Sequence, residues 1–262
     1  MTFATATIGG WHMNRLSVAG AIISLFLAAT PAVAQQASRC ADCHFAQNTV
    51  PNPDHLYDWD RSPHARNNVG CEKCHGGNAT VFEASIAHRG ILNPANKQSP
   101  VNRANLPATC GGCHVGPFVA FQDSRHYELL KGGDQHGPTC STCHDPVAGQ
   151  LLSPKALEKQ CSQCHGPKEV APRAERARNA RQMYESLNAI RDQLKLANAM
   201  IKRVDDKQRR ADLMNEYEQA SVPMTRAINA GHKFVYGELD EYLKVAQERV
   251  EKLMAHIANR AN

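Results

Sequence analysis

Five copies of the motif C-x-x-C-H contain all ten cysteines of this 262-residue chain. C-x-x-C-H is the signature of covalent c-type haem attachment. Cysteines at i and i+3 of a helical turn reach the two vinyl groups of a porphyrin, and the histidine at i+4 lies beneath its iron. The sequence therefore predicts five covalently bound haem c groups. The predicted attachment cysteines are Cys40, Cys43, Cys71, Cys74, Cys110, Cys113, Cys140, Cys143, Cys161 and Cys164, and the predicted proximal iron ligands are His44, His75, His114, His144 and His165.

Three other uses of paired cysteines fit the sequence less well. Disulfides would explain the pairs but not the histidine that follows each one. Zinc sites use C-x-x-C pairs but need two further ligands each and no fixed trailing histidine. A thioredoxin-type redox pair requires a βαβ context, which this Gly- and Pro-interrupted sequence lacks. Haem attachment is the interpretation that accounts for every cysteine.

Five haems also determine the expected fold. Residues 40–165 would have to accommodate five macrocycles, and only 6% of the chain is aromatic. The haems themselves are therefore expected to form the core of this part. We predict a mainly α protein with little regular secondary structure around the haems. The predicted segments are a signal peptide at 1–34, a pentahaem domain at 35–170 and a C-terminal helical segment at 171–262.

The N-terminal segment is typical of a secretory signal peptide. An apolar run extends from Leu16 to Ala29, one Arg precedes it, and an A-x-A site ends at Ala34. The alternative is a membrane anchor, but the run is shorter than the roughly 20 apolar residues that span a bilayer. We expect cleavage after Ala34 and a periplasmic or otherwise exported protein. The formal charge of +5 is too weak and dispersed to predict nucleic-acid binding.

The second axial ligand of each iron must come from outside the motifs. Every methionine after residue 34 lies C-terminal to the haem-bearing stretch, so Met ligation is not expected for most haems. The candidates are therefore the seven other histidines after residue 34: His55, His64, His88, His126, His136, His232 and His256.

At these histidines the chain resembles a known lineage of multihaem cytochromes c. The stretches WDRSPHARNNVGCEKCHGG (59–77) and SRHYELLKGGDQHGPTCSTCHDP (124–146) are similar to the S-x-H and H-G-x-x-C elements of the hydroxylamine oxidoreductase, pentahaem nitrite reductase and tetrahaem to octahaem cytochrome c lineage. The stretch NAGHKFVYGELDEYLKVA is similar to the G-x-H that opens its last long helix. The resemblance implies that His64, His126, His136 and His232 are distal ligands. His88 is then the fifth candidate distal ligand, by its position and by elimination. His55 is the alternative to His88, and no role at a haem is expected for His256.

The chain also departs from that lineage. It contains no C-x-x-C-K motif, which carries the catalytic haem of the nitrite reductases, and it is much shorter than the eight-haem hydroxylamine oxidoreductases. Neither active site can be transferred, and no catalytic residue is predicted.

The C-terminal segment has the apolar spacing of packed helices. Met183, Leu187, Ile190, Leu194, Ala197, Ile201 and Val204 are alternately three and four residues apart, and a second run from His232 to Leu253 is interrupted only by Arg249. VDDKQRRAD is predicted to be the turn between them, and Pro223 is predicted to kink or restart the second helix. The expected result is an antiparallel hairpin of long helices, and the same apolar stripe could join two copies of the chain.

These features favour an exported electron carrier between redox partner proteins. If every iron has two histidines, no position is open to a substrate and only electrons can pass. One alternative is an oxidoreductase with one open haem acting on a small nitrogen or sulfur compound, for which Arg61, Arg66, Arg89 and Arg103 could supply positive charge. Another is a structural subunit of a cytochrome assembly, or a module that docks to a membrane quinol oxidase. The sequence leaves open whether the protein is an enzyme.

Overall fold

A computed structural model describes residues 38–47, 52–145, 147 and 152–259, and the predicted signal segment 1–34 lies outside these residues. The described residues contain helices and no strand, which confirms the mainly α prediction. None of the described helices is long and apolar enough to cross a membrane. The helices are α1 (Arg39–Gln47), α2 (Pro53–Arg61), α3 (Pro63–Arg66), α4 (Glu72–His75), α5 (Ala84–Ala87), α6 (Leu106–Gly111), α7 (Val115–Gln122), α8 (Arg125–Lys131), α9 (Cys140–His144), α10 (Pro154–His165), α11 (Ala174–Ile201), α12 (Lys207–Lys233) and α13 (Tyr236–Ala258).

The haem-bearing part consists of α1 to α10, which are short helices joined by turns. Local signals fix several of their starts. The Ser62 side chain accepts backbone N–H bonds at the start of α3, and Ser124 and Ser153 do the same for α8 and α10. Pro63 and Pro154 occupy first-turn positions, where a missing N–H costs nothing. The starts of α3, α8 and α10 are therefore set by their local sequence.

Aliphatic packing is sparse among these short helices. Their one cluster of buried apolar side chains consists of Ala41, Leu56 and Trp59, with Ala65 and Val147 packed against it. The indole Nε1 of Trp59 donates to the carbonyl of Val69 at 2.9 Å, which holds the loop before the second C-x-x-C-H motif. A cluster of three buried side chains is too small to stabilise this many helices. This is in line with the expectation that haems supply the remaining core.

The C-terminal part has a continuous aliphatic core. Helices α11, α12 and α13 pack against one another, so the predicted long-helix packing is present, with a third helix in addition. Ile190, Leu194, Ala197 and Ile201 of the predicted stripe are buried in this core. The second apolar run is divided between the end of α12 and α13, because Phe234 adopts a left-handed conformation (φ 60°) and ends α12.

Pro223 lies inside α12, which continues past it, so the predicted restart of the helix at this residue is wrong. Proline has no N–H to offer the carbonyl four residues earlier, which is that of Gln219. Nη1 of Arg249 on α13 donates to this carbonyl at 2.8 Å. Arg249, the polar residue that interrupts the second apolar run, therefore satisfies the Gln219 carbonyl that Pro223 leaves free.

The described residues lie within one compact unit. The haem-bearing part packs on the bundle at two places, α7 against α12 and α10 against α11. The predicted boundary at residue 170 falls in the turn between α10 and α11. These contacts place the end of α12, with His232, beside the haem-bearing part.

Candidate haem sites

Each of the five C-x-x-C-H histidines has one other histidine ring opposite it. The distances between ring centroids fall in a narrow range, from 5.8 to 6.1 Å. The pairs are His44 with His88, His75 with His55, His114 with His64, His144 with His232, and His165 with His126. Five motifs thus have five separate partners.

This separation fits an iron between the two rings. A histidine nitrogen lies about 2.0 Å from the metal it binds, so two nitrogens on opposite sides of one metal are about 4 Å apart. Each ring centroid lies roughly 1 Å beyond its nitrogen, which gives about 6 Å between centroids. The rings of His144 and His232 are nearly parallel, at 5°, with their centroids 6.1 Å apart. Two parallel rings in direct stacking contact would have closer centroids than this. The residues present therefore fit five haems with two axial histidines each.

Hydrogen bonds orient three of the partner rings for metal binding. Nδ1 of His64 donates to the carbonyl of Val147 at 3.0 Å, that of His88 to Ala84 at 2.8 Å, and that of His232 to Ile228 at 2.7 Å. A carbonyl oxygen can only accept, so the proton must be on Nδ1. Nε2 is then left with a lone pair, which is the tautomer that a metal-binding histidine requires.

Helix starts explain the S-x-H elements of the sequence. Ser62 and Ser124 are both about 1% exposed and cap α3 and α8. A histidine two residues after the cap lies in the first turn of the helix, and its direction is fixed by the cap. His64 and His126 both occupy this position, and their rings face His114 and His165.

His136 is where the structure departs from the predicted ligand set. Its side chain is 59% exposed, and its Nδ1 lies 2.9 Å from Oδ1 of Asp134. The H-G element has a different explanation here, because a Cβ at Gly137 would lie 2.5 Å from the backbone nitrogen of Leu130. Gly137 allows this close approach of two chain segments, so the element does not require a ligating histidine.

His55, which the sequence offered only as a competitor of His88, also faces a motif histidine. It lies on α2, and its ring is 5.9 Å from that of His75. Trp59, four residues later on the same helix face, is buried. This spacing is the signal in the sequence that His55 lies on the inner face of its helix.

His256, expected to have no role at a haem, lies far along α13. Its Nδ1 is 2.8 Å from Oε2 of Glu216 on α12. The seven described histidines outside the motifs are thus divided into five that face a motif histidine and two that lie beside carboxylates.

Burial keeps several of these histidines neutral. The pKa values of His44, His75 and His144 are lowered, first by burial and then by the facing histidine. Burial is also the main reason that the pKa of His126 falls to about 4, with further lowering by His165 and Arg176. A neutral imidazole has the free lone pair that metal binding needs.

The cysteines of successive motifs lie next to each other. None of the ten is paired in a disulfide. Burial and the nearby Cys40 raise the pKa of Cys71 to about 11, and burial with the nearby Cys161 raises that of Cys143 to about 11. A hydrogen bond with Cys140 raises the pKa of Cys110, and Cys110 with Cys113 contributes to the raised pKa of Cys74. These neighbours connect motif one to two, two to three, three to four and four to five.

Three of the arginines considered for a substrate pocket make contacts with the backbone instead. Arg61 Nε donates to the carbonyl of Tyr57, and Arg66 Nη1 to that of Arg61. Arg103 donates to the carbonyls of Asp134, Gln135 and Gly137 and so fixes the loop before the fourth motif. These contacts stabilise loops and turns.

Comparison with known proteins gives matches that each cover part of the chain. Residues 23–76 match the family described as cytochrome c554 and c-prime. The C-type polyheme cytochrome OmcC of Geobacter sulfurreducens is 28% identical over 112 residues, which is 40% of this chain and 14% of OmcC. The C-type polyheme cytochrome OmcB of the same species is 30% identical over 118 residues, 41% of this chain and 13% of OmcB. The chain thus spans only a small part of the length of these relatives, and no solved structure matches it. The five C-x-x-C-H motifs and these partial similarities together support a multihaem c-type cytochrome with covalently attached haem c.

Proposed function

We propose that the chain is an exported pentahaem cytochrome c that conducts electrons through five bis-histidine haems. The observation that carries this proposal is the set of five histidine pairs with centroids 5.8–6.1 Å apart. With two histidines on each iron, all six coordination positions are filled and the chemistry left is electron transfer. His55 replaces His136 in the proposed ligand set, which otherwise remains His64, His88, His126 and His232.

The proposed route of electrons follows the order of the motifs along the chain. A motif cysteine is bonded to the edge of its haem, so neighbouring cysteines of two motifs bring two haem edges together. Such neighbours connect every successive pair of motifs. The first and fifth haems are then the two ends of an unbranched chain, where a donor and an acceptor protein would dock.

Ligand exchange between segments would hold this chain together. Helices α2 and α3, which precede the second motif, provide His55 for the second haem and His64 for the third. The bundle provides His232 for the fourth haem. Each haem thereby joins two distant stretches of chain, so the fold of residues 38–165 depends on haem attachment.

The two alternatives from the sequence have less support. An enzyme needs an open iron and a polar pocket, whereas each motif histidine here has a partner and Arg103 is engaged by backbone carbonyls. A subunit of a filament that borrows histidines from a neighbouring chain would not contain all five partners itself. The apolar stripe of α11 to α13 is buried within the chain, so an oligomer would have to use another surface.

Low-temperature electron paramagnetic resonance of the oxidised protein, with the haems counted by intact mass, tests the proposal. We expect a mass of the chain from residue 35 plus five haems, and low-spin signals that integrate to five irons. A high-spin signal of one iron per chain, or fewer than five haems, would contradict it. His232→Met is a further check, because the fourth haem alone should change its potential or spectrum.

A further inference from the structure

Three of the five partner histidines have an Nδ1 hydrogen bond to a backbone carbonyl, and of the remaining two, His55 and His126, only His126 has a buried Nδ1. Nδ1 of His126 is buried and has no hydrogen-bond partner, and among the described histidines it is the one ring nitrogen in this state. The Nδ1 atoms of His64, His88 and His232 each donate to a backbone carbonyl. A buried, unsatisfied donor is costly, so this absence calls for an explanation.

The missing bond weakens a metal ligand in two ways. A carbonyl that accepts from Nδ1–H fixes the ring orientation and raises the basicity of Nε2. Loss of such an outer partner typically reduces metal affinity about 10- to 100-fold. His126 is therefore expected to bind iron more weakly than His64, His88 or His232.

Aromatic packing is what restrains His126 instead. The ring of Phe234 contacts the His126 ring edge to face, with 4.2 Å between the two centroids. The Phe234 ring also packs against Phe121, with 6.3 Å between those centroids. Phe234 has a left-handed backbone conformation, which a phenylalanine adopts only at a cost of about 1–2 kcal/mol. Phe234 is 47% exposed, so it packs on His126 from the surface of the protein.

We propose that His126 is a displaceable ligand and that the fifth haem is the position where this protein binds a small neutral diatomic molecule. This inference rests on the proposed bis-histidine function. In the exchange, the bond from iron to Nε2 of His126 breaks and a bond from ferrous iron to the diatomic molecule forms. His126 leaves as a neutral imidazole, and no electron or proton is transferred. Phe234 is a positioning residue that keeps the ring close enough to rebind.

Carbon monoxide binding to the reduced, fully haem-loaded protein is the test. We expect one carbon monoxide per chain at saturation, bound slowly because His126 must leave first. Phe234→Ala removes the aromatic contact, so binding should become about twofold to tenfold faster at the same stoichiometry. Unchanged kinetics in Phe234→Ala, or no binding by the wild type, would overturn the proposal.

Two alanine variants identify the haem. His126→Ala opens the same iron, so the stoichiometry should stay at one and the delay should disappear. His88→Ala is the matched control, because it opens the first haem in addition and should raise the stoichiometry to two. A value of two for His126→Ala would place the wild-type binding site on another haem and overturn the proposal.

Resonance spectra of the resting protein separate this result from the proposed function. If the oxidised wild type has five low-spin haems and its reduced form binds no carbon monoxide, only the displaceable ligand is refuted. If the resting protein already contains one high-spin haem, the bis-histidine proposal itself fails.

Discussion

Replacing His55 and His136 by methionine, one at a time, tests the ligand assignment where structure and sequence differ. The His55 ring lies 5.9 Å from His75, the separation that fits an iron between them, whereas His136 is 59% exposed beside Asp134. In His55→Met, a thioether should replace an imidazole on the second haem. Methionine ligation raises the potential.

The size of the effect follows from the ligand change. Axial ligands set haem potentials over a range of roughly 0.8 V, so one exchange should shift the second haem upward by on the order of 100 mV. At about 59 mV per tenfold change for one electron, this is roughly a 50-fold change in its reduction equilibrium. His136→Met removes only an exposed contact with Asp134 and should leave all five potentials unchanged.

A potentiometric titration followed by optical absorbance measures both variants, with intact mass used to confirm equal haem content. One fifth of the haem absorbance should titrate at the raised potential in His55→Met, and none in His136→Met. The reverse result, a shift in His136→Met and none in His55→Met, would refute the assignment and with it the argument from ring separation.

Three further predictions concern the bundle, the ring geometry and the N-terminus. Leu253 is 1% exposed, so Leu253→Ala should lower the free energy of unfolding by about 2–5 kcal/mol. Leu196 is 52% exposed, so Leu196→Ala should change that free energy by less than about 0.5 kcal/mol. Denaturation followed by circular dichroism measures both variants, and equal losses would contradict the buried core. The ring planes of His144 and His232 are 5° from parallel, whereas those of the other four pairs are 46–87° apart. The fourth haem should therefore have the most rhombic low-spin resonance signal. His232→Met should remove that signal and no other. N-terminal sequencing of the exported protein should begin directly after Ala34, and a retained leader would exclude cleavage there.

Much of the site could be predicted because its determinants are local in the sequence. The two cysteines and the histidine of each motif lie within about one helical turn, so their spacing alone predicts the haem-attachment residues and the proximal ligands. The S-x-H elements are equally local, since the serine that caps the helix is two residues from the histidine that it directs. The apolar stripe of α11 likewise follows from a helical period, and its residues Ile190, Leu194, Ala197 and Ile201 are buried.

Only the tertiary structure decides which histidines lie opposite the motif histidines. His136 precedes the fourth motif by four residues, yet the nearby Asp134 and the close approach at Gly137 account for its surroundings. His55 faces the second motif because the buried face of α2 brings it there, and no local spacing connects it to His75. The same holds for Arg249, which interrupts an apolar run in the sequence but in the bundle satisfies the carbonyl left free by Pro223. A motif whose residues lie within one helical turn can be recognised from the local sequence. A contact between two distant segments depends on how every helix between them packs.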